Sequence, residues 1–413
     1  MKVPLLDVNA QNLPLESELT AAFTSVLRSG QFIMGPECDA FEKEIAAMVE
    51  CKHGIGCSSG TDAILLALMA LGIGPGDEVL VPTFTFFATA GCVARVGATP
   101  VFVDACPVCF NIDMKKAAAK ITPKTKAIIP VHLFGQSADM DAVMALAKEH
   151  HLFVIEDGAQ AIGAKYKGKP VGSIGHFGTY SFFPSKNLGG FGDGGFLVAN
   201  DDALADRARI LRTHGSKPKY YHKFVGGNFR LDPLQAAMLR VKLRRYDDYT
   251  KARQANAAYY TEKLRTLPGV VVADPAFGVH PSGCGAGQTG EGVTPGESQP
   301  RHPQGWTPNA RLVLPAPYAH NEHIWNQYTL RVIGDGKRDA LKKHLVDNNI
   351  GTEVYYPVTM DQQECFAYTS DFCRSACDTA HRLAGEALSI PIYPELSTEQ
   401  KDAVIAQLTA WLA

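Results

Sequence analysis

Short apolar runs alternate with longer amphipathic stretches between about residues 55 and 200. The runs have the length and the β-branched composition of strands, and they lie at Glu78–Pro82, Thr99–Asp104, Ala127–Phe134, Phe153–Asp157, Thr179–Phe183 and Gly195–Ala199. The amphipathic stretches have apolar residues at helical spacing, and they lie at Asp62–Leu71, Phe86–Val96, Asp139–His150 and Ala203–Thr213. Strands separated by helices of this length predict an α/β domain with a mostly parallel sheet covered on both faces.

The pattern changes after residue 231. A long helical stretch, from Asp232 to about Leu267, leads out of the sheet region. The tail predicts a smaller α+β unit, with a strand at Gln327–Val332, a helix at Lys337–Asn348, a strand at Thr352–Tyr356 and a final helix from Ser397, where Gln400 is placed for a capping box. We therefore predict a large domain over residues 1–250 and a small C-terminal domain over residues 251–413.

The segment from Pro275 to about Pro317 fits neither pattern. It is dense in Gly, Pro, Ser, Thr and Gln, as in the run Gly-Cys-Gly-Ala-Gly-Gln-Thr-Gly-Glu-Gly from 283 to 292. Such a composition buries too little apolar surface to offset the entropy of ordering. We predict a mobile surface insertion in the small domain, with a lid over a functional site as the alternative.

Composition narrows the function. The formal charge of −2 gives no basic surface for nucleic acid or an acidic membrane. The chain shows no apolar run as long as a signal peptide or a membrane span, so we expect a cytoplasmic protein. Its ten cysteines are scattered, and the spacings of Cys106 with Cys109 and of Cys373 with Cys377 resemble zinc or redox pairs only loosely. We expect free thiols and no metal.

A lysine and an acid follow two of the predicted strands. Lys186 comes just after the run Gly178–Phe183 and opens a glycine-rich stretch, and Asp157 ends the run Phe153–Asp157. Ligands of parallel sheets bind at the carboxyl ends of strands, where both residues fall. A pyridoxal phosphate enzyme needs a nucleophilic lysine for its Schiff base and an acid beside the protonated pyridine nitrogen. The pair therefore predicts a pyridoxal phosphate enzyme.

The run from Gly54 to Thr61 reads as a loop before a helix and is suited to anion binding. Backbone N–H groups and the helix dipole favour a phosphate there, and Ser59 and Thr61 add hydroxyls. The run also mimics half of a dinucleotide fingerprint, but its third glycine is misplaced and Asp77 precedes a strand instead of ending one. We favour phosphate binding over dinucleotide binding.

An aromatic residue and a hydroxyl complete the candidate site. Phe84, Phe86 and Phe87 follow a predicted strand, and one of them could stack on a pyridine ring, although aromatics in such places are often core. Ser181 lies in the strand that leads to Lys186, and it is either a second phosphate donor or a plain strand residue.

Six motifs then carry a family resemblance. They are Ser58-Ser-Gly-Thr-Asp-Ala63, Pro130-Val-His-Leu-Phe-Gly-Gln136, Glu156-Asp-Gly-Ala-Gln-Ala161, Ser181-Phe-Phe-Pro-Ser-Lys-Asn-Leu-Gly189, Gly192-Asp-Gly-Gly195 and Gly227-Asn-Phe-Arg-Leu-Asp232. With them, residues 3–265 and the tail from 326 resemble the DegT/StrS-type nucleotide-sugar aminotransferases. The resemblance implies the fold-type I aminotransferase fold, with a mostly parallel seven-stranded sheet between helices and a smaller C-terminal α+β domain.

The resemblance also implies roles in cofactor binding. Lys186 would form the Schiff base with pyridoxal 5'-phosphate, and Asp157 would pair with the pyridine nitrogen. Gln160 would lie against the ring or its hydroxyl, and Phe86 against the other face. The phosphate would be held by Gly60, Thr61 and Ser181.

Other implied roles concern a second subunit and the substrate. Asn228 would reach the phosphate bound by the neighbouring subunit, which implies an obligatory homodimer. The candidates for binding the sugar or the carboxylate of the amino donor are Arg230, His323 and Tyr328.

The implied reaction transfers an amino group. L-glutamate would convert the cofactor to pyridoxamine 5'-phosphate and leave as 2-oxoglutarate, and a nucleotide-linked keto-sugar would then take the amino group. Lys186 would serve as both Schiff-base residue and general base. The motifs around Lys186 and Gly192 resemble those of family members that aminate C-3 of the sugar more than those of members that aminate C-4, which is the alternative.

Two departures and three rival functions remain. The insertion is longer than the connection usual in the family, and Asp361 stands where a histidine is common. Relatives with histidine in place of the lysine are dehydratases, and Lys186 argues against that reaction. The other rivals are a non-catalytic pyridoxal phosphate protein and a nicotinamide-dependent sugar oxidoreductase that uses the Gly54 loop.

Overall fold

The computed structural model describes residues 1–274 and 311–413. The strands, in chain order, are β1 (His53–Cys57), β2 (Glu78–Pro82), β3 (Thr99–Val103), β4 (Thr125–Ile128), β5 (Phe153–Asp157), β6 (Lys165–Tyr166), β7 (Lys169–Pro170), β8 (Phe177–Ser181), β9 (Gly195–Ala199), β10 (Val270–Val272), β11 (Leu312–Leu314), β12 (Asn321–Glu322), β13 (Tyr328–Val332) and β14 (Ala387–Ile390).

The described ranges also contain fourteen α-helices. They are α1 (Val8–Asn12), α2 (Glu16–Ser29), α3 (Pro36–Met48), α4 (Gly60–Leu71), α5 (Phe87–Arg95), α6 (Met114–Ala118), α7 (Met140–His150), α8 (Asp202–Arg212), α9 (Pro233–Leu243), α10 (Tyr246–Leu264), α11 (Lys337–Asp347), α12 (Asp371–Arg374), α13 (Asp378–Glu386) and α14 (Thr398–Leu412). None of these helices is long and apolar enough to cross a membrane.

Seven strands form the main sheet, in the order β1-β9-β8-β5-β4-β2-β3. β9 runs antiparallel to both of its neighbours, and the other strands of the sheet share one direction. The predicted α/β architecture with a mostly parallel sheet is confirmed. Because β1, β2, β5 and β8 point the same way, their carboxyl ends lie along one edge, where such sheets bind ligands.

The prediction of a loop from Gly54 is wrong at its start. β1 pairs with β9 along its whole length, from His53 opposite Ala199 to Cys57 opposite Gly195. The sequence does not predict this strand because Gly54 and Gly56 lie in it, whereas β-branched and aromatic residues are the ones typical of strands. The glycine at 54 has a packing reason, since a Cβ there would lie 2.7 Å from the Phe196 ring.

Helices cover both faces of the sheet. Successive side chains of a strand point to opposite faces, so Ile155 packs in the cluster that contains α4 and α5, whereas Val154 packs in the cluster that contains α7. α4 lies deepest, and its consecutive residues Ala63–Leu68 are all buried. This burial fixes the position of the α4 N-terminus at the ligand edge of the sheet.

The helical stretch predicted from Asp232 to Leu267 is two helices. α9 ends at Leu243 and α10 begins at Tyr246, with Arg245 as its N-terminal cap residue. Tyr246 packs in a core cluster of the large domain, whereas Tyr260 packs in the core of the small domain. α10 therefore crosses the boundary that the sequence predicts at residue 250.

The small domain is built on the sheet β10-β11-β13-β14. Leu312–Leu314 forms β11, a buried strand between β10 and β13. The prediction that the segment up to Pro317 is a surface insertion is thus wrong for these residues, which are apolar but stand among prolines. The rest of that prediction, including the lid, falls on residues 275–310 and lies outside the described residues.

Of two further predictions for the tail, one is wrong and the other is confirmed. The strand predicted at Thr352–Tyr356 is absent, because only Glu353 pairs with another strand, through a single bridge to Ser389. That partner lies in β14, which the sequence pattern does not reveal. The predicted capping box is confirmed, since the Ser397 and Gln400 side chains each accept from the backbone N–H of the other.

Arg253 of α10 binds this helix to the rest of the small domain. It is buried, and its Nη1 donates to the carbonyl oxygens of Trp325 (3.1 Å), Asn326 (3.4 Å) and Ile392 (2.9 Å). Burial lowers the pKa of this guanidinium to about 10. The N-terminus makes a second connection, because Val3 pairs with Ile350 and lies in the small-domain core.

We expect Arg253→Met to lower the free energy of unfolding by roughly 3 kcal/mol, because each buried carbonyl left without a donor costs about 1 kcal/mol or more. The measurement is a urea denaturation followed by circular dichroism. Arg244→Met is the control, since Arg244 is exposed and its ion pair with Glu18 at 3.5 Å is a surface pair worth about 0–1 kcal/mol. Equal effects of the two substitutions would contradict the role of Arg253.

Candidate active site

A cleft of about 590 Å³ opens at the carboxyl ends of the parallel strands. The large domain supplies most of its wall, and the small domain closes one side with the extended segment Glu353–Tyr356. Seven residues predicted from the sequence meet in the lining, and they are Gly60, Thr61, Phe86, Asp157, Gln160, Ser181 and Lys186.

Lys186 lies in the turn after β8. Its backbone N–H donates to the carbonyl of Phe183 (2.8 Å), and the next residue, Asn187, is anchored by its Nδ2 to the carbonyl of Ile324 (3.1 Å). Burial lowers the pKa of Lys186 to about 8, against the opposing effect of the nearby Asp157 charge. A useful fraction of the amine is therefore neutral, and nucleophilic, near pH 7.

Asp157 ends β5, and its carboxylate is held in place by two donors. Oδ2 accepts from the Thr89 hydroxyl (2.8 Å) and Oδ1 from the backbone N–H of Ala159 (3.1 Å). The Thr89 hydroxyl also lies 3.2 Å from that of Thr85. A carboxylate oxygen can accept more than one hydrogen bond, so Asp157 retains capacity for a protonated ring nitrogen in the cleft.

Thr89 is a functional residue that the sequence analysis misses. It lies in the first turn of α5 and is buried. Threonine in a helix usually bonds to its own backbone or to solvent, so composition alone gives no reason to connect it with Asp157. The remaining signal is the spacing of Thr85 and Thr89, which is one helical turn.

Gln160 is fixed at both ends of its amide. Oε1 accepts from the backbone N–H of Phe134 (2.7 Å), and Nε2 donates to the hydroxyl of Tyr356 (3.1 Å). The Tyr356 ring in turn lies 6.3 Å from the ring of Phe86, centroid to centroid. Phe86 is 58% exposed although it lines the cleft, so one face of its ring is open for stacking.

The N-terminus of α4 forms the other end of the cleft. Ser59 caps the helix by accepting from the N–H of Asp62 (3.0 Å). The next N–H groups, those of Gly60 and Thr61, lie in the first helical turn, where no intrahelical acceptor exists and the dipole favours an anion. A Cβ on Gly60 would lie 2.7 Å from that of Ser181, so glycine allows β8 to bring the Ser181 hydroxyl against this turn.

The dinucleotide alternative fails on the same geometry. Gly54 and Gly56 lie inside β1 instead of in a loop, and they pair with the antiparallel strand β9. A dinucleotide fingerprint requires its glycines in the turn between a strand and a helix. In this chain the turn contains Ser58 and Ser59, whose hydroxyls donate to Asp62.

Asn228 and Arg230 do not line the cleft. They lie in an extended segment beside the end of β1, where Arg230 pairs with Cys57 and Asn228 pairs with Thr213. The backbone N–H of Ser58 donates to the carbonyl of Phe229 between them (3.0 Å). The Asn228 side chain is exposed, so it is available to a neighbouring molecule.

His323 and Tyr328 are also outside the cleft, and both are buried. The His323 ring stacks on Trp325 at 3.9 Å, and its Nδ1 accepts from the N–H of that residue (2.9 Å). Burial lowers the pKa of His323 to about 3, so the ring carries no charge for a carboxylate. The Tyr328 hydroxyl bonds to Thr261 (2.8 Å) within the small-domain core. The expectation that these two residues contact substrate is therefore not supported.

The residues of the cleft suit pyridoxal phosphate. The amine of Lys186, the carboxylate of Asp157 and the anion-binding turn at Gly60 occupy one cavity, with the open face of Phe86 between them. Among the lining residues, acids outnumber bases, since Asp157, Asp193 and Glu353 face the single cation of Lys186. The described residues contain no group of three or more His, Cys, Asp and Glu side chains suited to a metal ion.

We expect Thr89→Val to weaken pyridoxal phosphate binding about tenfold, because a hydrogen bond to a charged group contributes about 1.5–3 kcal/mol and one factor of ten is about 1.4 kcal/mol. Thr89→Ser keeps the hydroxyl and should bind almost normally. Titration of the apoprotein, followed by absorbance, gives both dissociation constants. Normal binding by Thr89→Val, with a loss only in Thr89→Ser, would show that packing of the methyl group matters instead of the bond to Asp157.

We expect the rate at which apoprotein captures pyridoxal phosphate covalently to rise with pH, to reach half of its maximum near pH 8 and to level off by about pH 9. Only the neutral amine reacts, and the pKa of Lys186 is about 8. Stopped-flow absorbance across pH 6.5–9.5 measures the profile, and Lys186→Arg should show no capture. Lys242 has a similarly lowered pKa, but its Nζ is buried against the carbonyl of Gly189 (2.6 Å), so Lys242→Met should leave the profile unchanged. A profile that continues to rise towards pH 9.5 would contradict the assignment.

Comparison with known proteins supports the same conclusion. The model of the DegT/DnrJ/EryC1/StrS aminotransferase family matches residues 14–280 and 308–409. The chain is 46% identical over 408 residues to a "Pleiotropic regulatory protein" of Geobacillus stearothermophilus, which covers 99% of this chain and 98% of that protein. It is 42% identical over 398 residues to a UDP-N-acetyl-3-dehydro-alpha-D-glucosamine 3-aminotransferase of Acidithiobacillus ferrooxidans, which covers 96% of this chain and 95% of that protein.

A solved structure confirms the fold. DesV from S. venezuelae, in complex with a ketimine intermediate, superposes with a TM-score of 0.86 at 38% identity, covering 100% of this chain and 98% of DesV. The predicted fold-type I aminotransferase architecture is thereby confirmed. The chain belongs to the DegT/DnrJ/EryC1/StrS aminotransferase family, and it is a pyridoxal phosphate-dependent nucleotide-sugar aminotransferase.

Proposed function

We propose that this aminotransferase takes its amino group from L-glutamate and delivers it to C-3 of a keto-sugar linked to a nucleoside diphosphate. The observation that carries the transamination is the pairing of a nucleophilic Lys186 with a fixed Asp157 in one cleft. The preference for C-3 is supported by the relative from Acidithiobacillus ferrooxidans, whose name specifies a 3-aminotransferase.

The cofactor supplies an aldehyde that accepts the amino group and a protonated ring that stabilises negative charge next to it. Asp157 would keep the ring nitrogen protonated, and the Thr89 hydroxyl holds the Asp157 carboxylate in position. Lys186 would hold the cofactor, and its neutral Nζ would serve as the base that removes the α-proton of the donor. The same amine returns the proton, so one residue performs both transfers.

A homodimer supports this function, because the cleft of one chain lacks cations for its substrates. A cofactor phosphate, a donor carboxylate and a sugar diphosphate are all anions, whereas Lys186 is the only cation that residues 1–274 and 311–413 place in the lining. Asn228 is exposed at the surface beside β1, with Arg230 next to it. We infer that a second copy brings these side chains, or others of the same loop, to the cleft.

The apolar surface favours the same assembly. Phe183 and Phe191 flank the Lys186 loop and are exposed, as are Phe32 and Ile33 in the turn before α3. Large exposed apolar side chains are typical of a protein–protein interface, and Phe183 among them also lines the cleft. Their burial against a second copy would also exclude water from the reaction.

Two alternatives differ from the proposal at defined points. Amination at C-4 keeps the donor and the residues and changes only how the sugar is placed. A regulatory pyridoxal phosphate protein is favoured by one observation, the name of the relative from Geobacillus stearothermophilus. It would bind the cofactor at Lys186 but show no amino transfer.

The absorption spectrum with and without L-glutamate tests the donor half of the reaction. We expect the visible band of the purified protein to disappear with L-glutamate while 2-oxoglutarate forms in equal amount, and we expect Lys186→Ala to do neither. A band that is indifferent to L-glutamate and to other amino acids would favour the regulatory alternative. Incubation of the aminated enzyme with 3-keto and 4-keto sugar nucleotides, followed by nuclear magnetic resonance of the product, then identifies the carbon.

Analytical ultracentrifugation tests the assembly. We expect a dimer at micromolar concentration, and we expect Asn228→Ala to lower cofactor affinity while the dimer persists. Mixed dimers offer the sharper experiment. A Lys186→Ala chain and an Asn228→Ala chain should regain up to about a quarter of the activity when mixed, because one site in a statistical hybrid is then complete. Absence of any recovery would contradict shared sites.

A further inference from the structure

Two cysteines lie in the turn that follows β3. The turn is closed by two backbone hydrogen bonds, from the Phe110 N–H to the Cys106 carbonyl (3.0 Å) and from the Cys106 N–H to the Asn111 carbonyl (2.7 Å). This closure places both cysteines in the lining of one cavity and in one apolar cluster with Tyr318. Both are free cysteines, and each is 8% exposed.

Further donors point at the Cys106 sulfur. The Tyr318 hydroxyl, contributed by the chain segment after β11, lies 3.5 Å from Sγ, and the Val108 backbone N–H donates to Sγ at 3.5 Å. Donors that favour the charged form lower a pKa, and Cys109, with Tyr318 and the Val108 N–H, lowers the pKa of Cys106 against the opposing effect of burial. The neighbouring sulfur raises the pKa of Cys109. A thiol whose charged form is favoured by donors, beside a second thiol, is the arrangement required for thiol–disulfide exchange.

A route from solvent leads to these sulfurs. A cavity of about 100 Å³ is lined by both cysteines and extends to Asp113 and Lys115, the second of which is exposed. Purely structural buried thiols lack both a polar environment and an approach. Here both are present.

We propose that Cys106 and Cys109 are an oxidation site, at which a low-molecular-weight disulfide such as oxidised glutathione reversibly converts the dithiol to a disulfide. The Cys106 thiolate attacks one sulfur of the oxidant, whose S–S bond breaks and releases one glutathione thiolate. Cys109 then loses its proton and attacks the Cys106 sulfur, which forms the internal bond and releases the second glutathione. Two electrons and the Cys109 proton pass to the oxidant, which leaves as one thiolate and one thiol. This site goes beyond the proposed transamination and does not depend on it.

The oxidised turn would act on the active cleft through Asn111. The side chain of Asn111 accepts from the Leu133 N–H (2.8 Å) and donates to the Gln136 carbonyl (3.0 Å). Leu133 lines the cleft, and the N–H of the next residue, Phe134, holds Gln160. A disulfide has an S–S length of about 2.05 Å, shorter than any contact between free thiols, so its formation draws the turn inward and shifts this wall. Oxidation is therefore expected to weaken cofactor binding several-fold.

A second cysteine pair of the same protein serves as the control in the oxidation experiment. Cys373 and Cys377 are also buried and closely spaced, but each sulfur has a different partner, since the Ser370 hydroxyl lies 3.3 Å from Cys373 and Cys377 donates to the carbonyl of Ser375 (3.4 Å). The protein is incubated in glutathione buffers of increasing oxidation, quenched with acid, alkylated and digested. Peptide mass spectrometry should show Cys106 and Cys109 joined and two hydrogens lighter, with recovery in dithiothreitol, while Cys373 and Cys377 remain alkylated.

Variants separate the steps. Cys109→Ser should accumulate one glutathione on Cys106, because the second attack is missing. Tyr318→Phe should form the disulfide several-fold more slowly, because the thiolate loses a donor. The proposal would be overturned if Cys106 and Cys109 could still be alkylated at the most oxidising glutathione ratio. It would also be overturned if Cys373 and Cys377 were oxidised equally fast.

Cofactor affinity tests the coupling. The dissociation constant of pyridoxal phosphate is measured for the oxidised and the reduced protein, and it should be several-fold higher in the oxidised form. The double variant Cys106→Ser, Cys109→Ser should show one value in both buffers. Equal constants for the two forms of the native protein would refute the coupling to the cleft.

Discussion

The hydrogen bonds at the carboxyl end of β5 fix the carboxylate on which the proposed reaction of this aminotransferase depends. Asp157 receives the Thr89 hydroxyl and the Ala159 N–H on the side of the cleft. The preceding residue, Glu156, points to the opposite face, where its buried carboxylate accepts from the N–H groups of Gly172, Ile174 and Gly175. The last two residues of one strand are thus fixed on both faces. A carboxylate held in this way loses little freedom when a ligand binds, which is the meaning of preorganisation.

The same strand end connects to the small domain through few, well-defined bonds. Gln160, three residues after Asp157, donates to the Tyr356 hydroxyl, and Tyr356 belongs to the segment that closes the cleft. Arg253 binds three carbonyls of the small domain from α10. Polar contacts with strict geometry therefore help to place the small domain at the cleft, together with the mixed apolar cluster around Phe84.

The sequence predicts the parts of the site that local patterns encode. Lys186 and Asp157 each follow a strand, and Gly60 precedes a helix, so their roles can be inferred from neighbours in the chain. Thr89 could not be inferred, because its contact with Asp157 joins residues 68 positions apart. His323 and Tyr328 were misplaced for a similar reason, since only the tertiary packing decides whether a polar residue near a motif faces a cleft or a core. β1 escaped detection because close packing against Phe196 selects glycine over the usual strand formers.

The phosphate end of the cleft is formed by α4, a helix that resists local unfolding. Its residues Ala63–Leu68 are buried without a break, so the helix has no solvent-facing side along which it could peel away from the sheet. Segments of this kind open only when the whole domain opens. The amide protons of α4 are therefore the ones whose exchange reports the global stability of the fold, and the anion-binding turn at its N-terminus persists for as long as the domain remains folded.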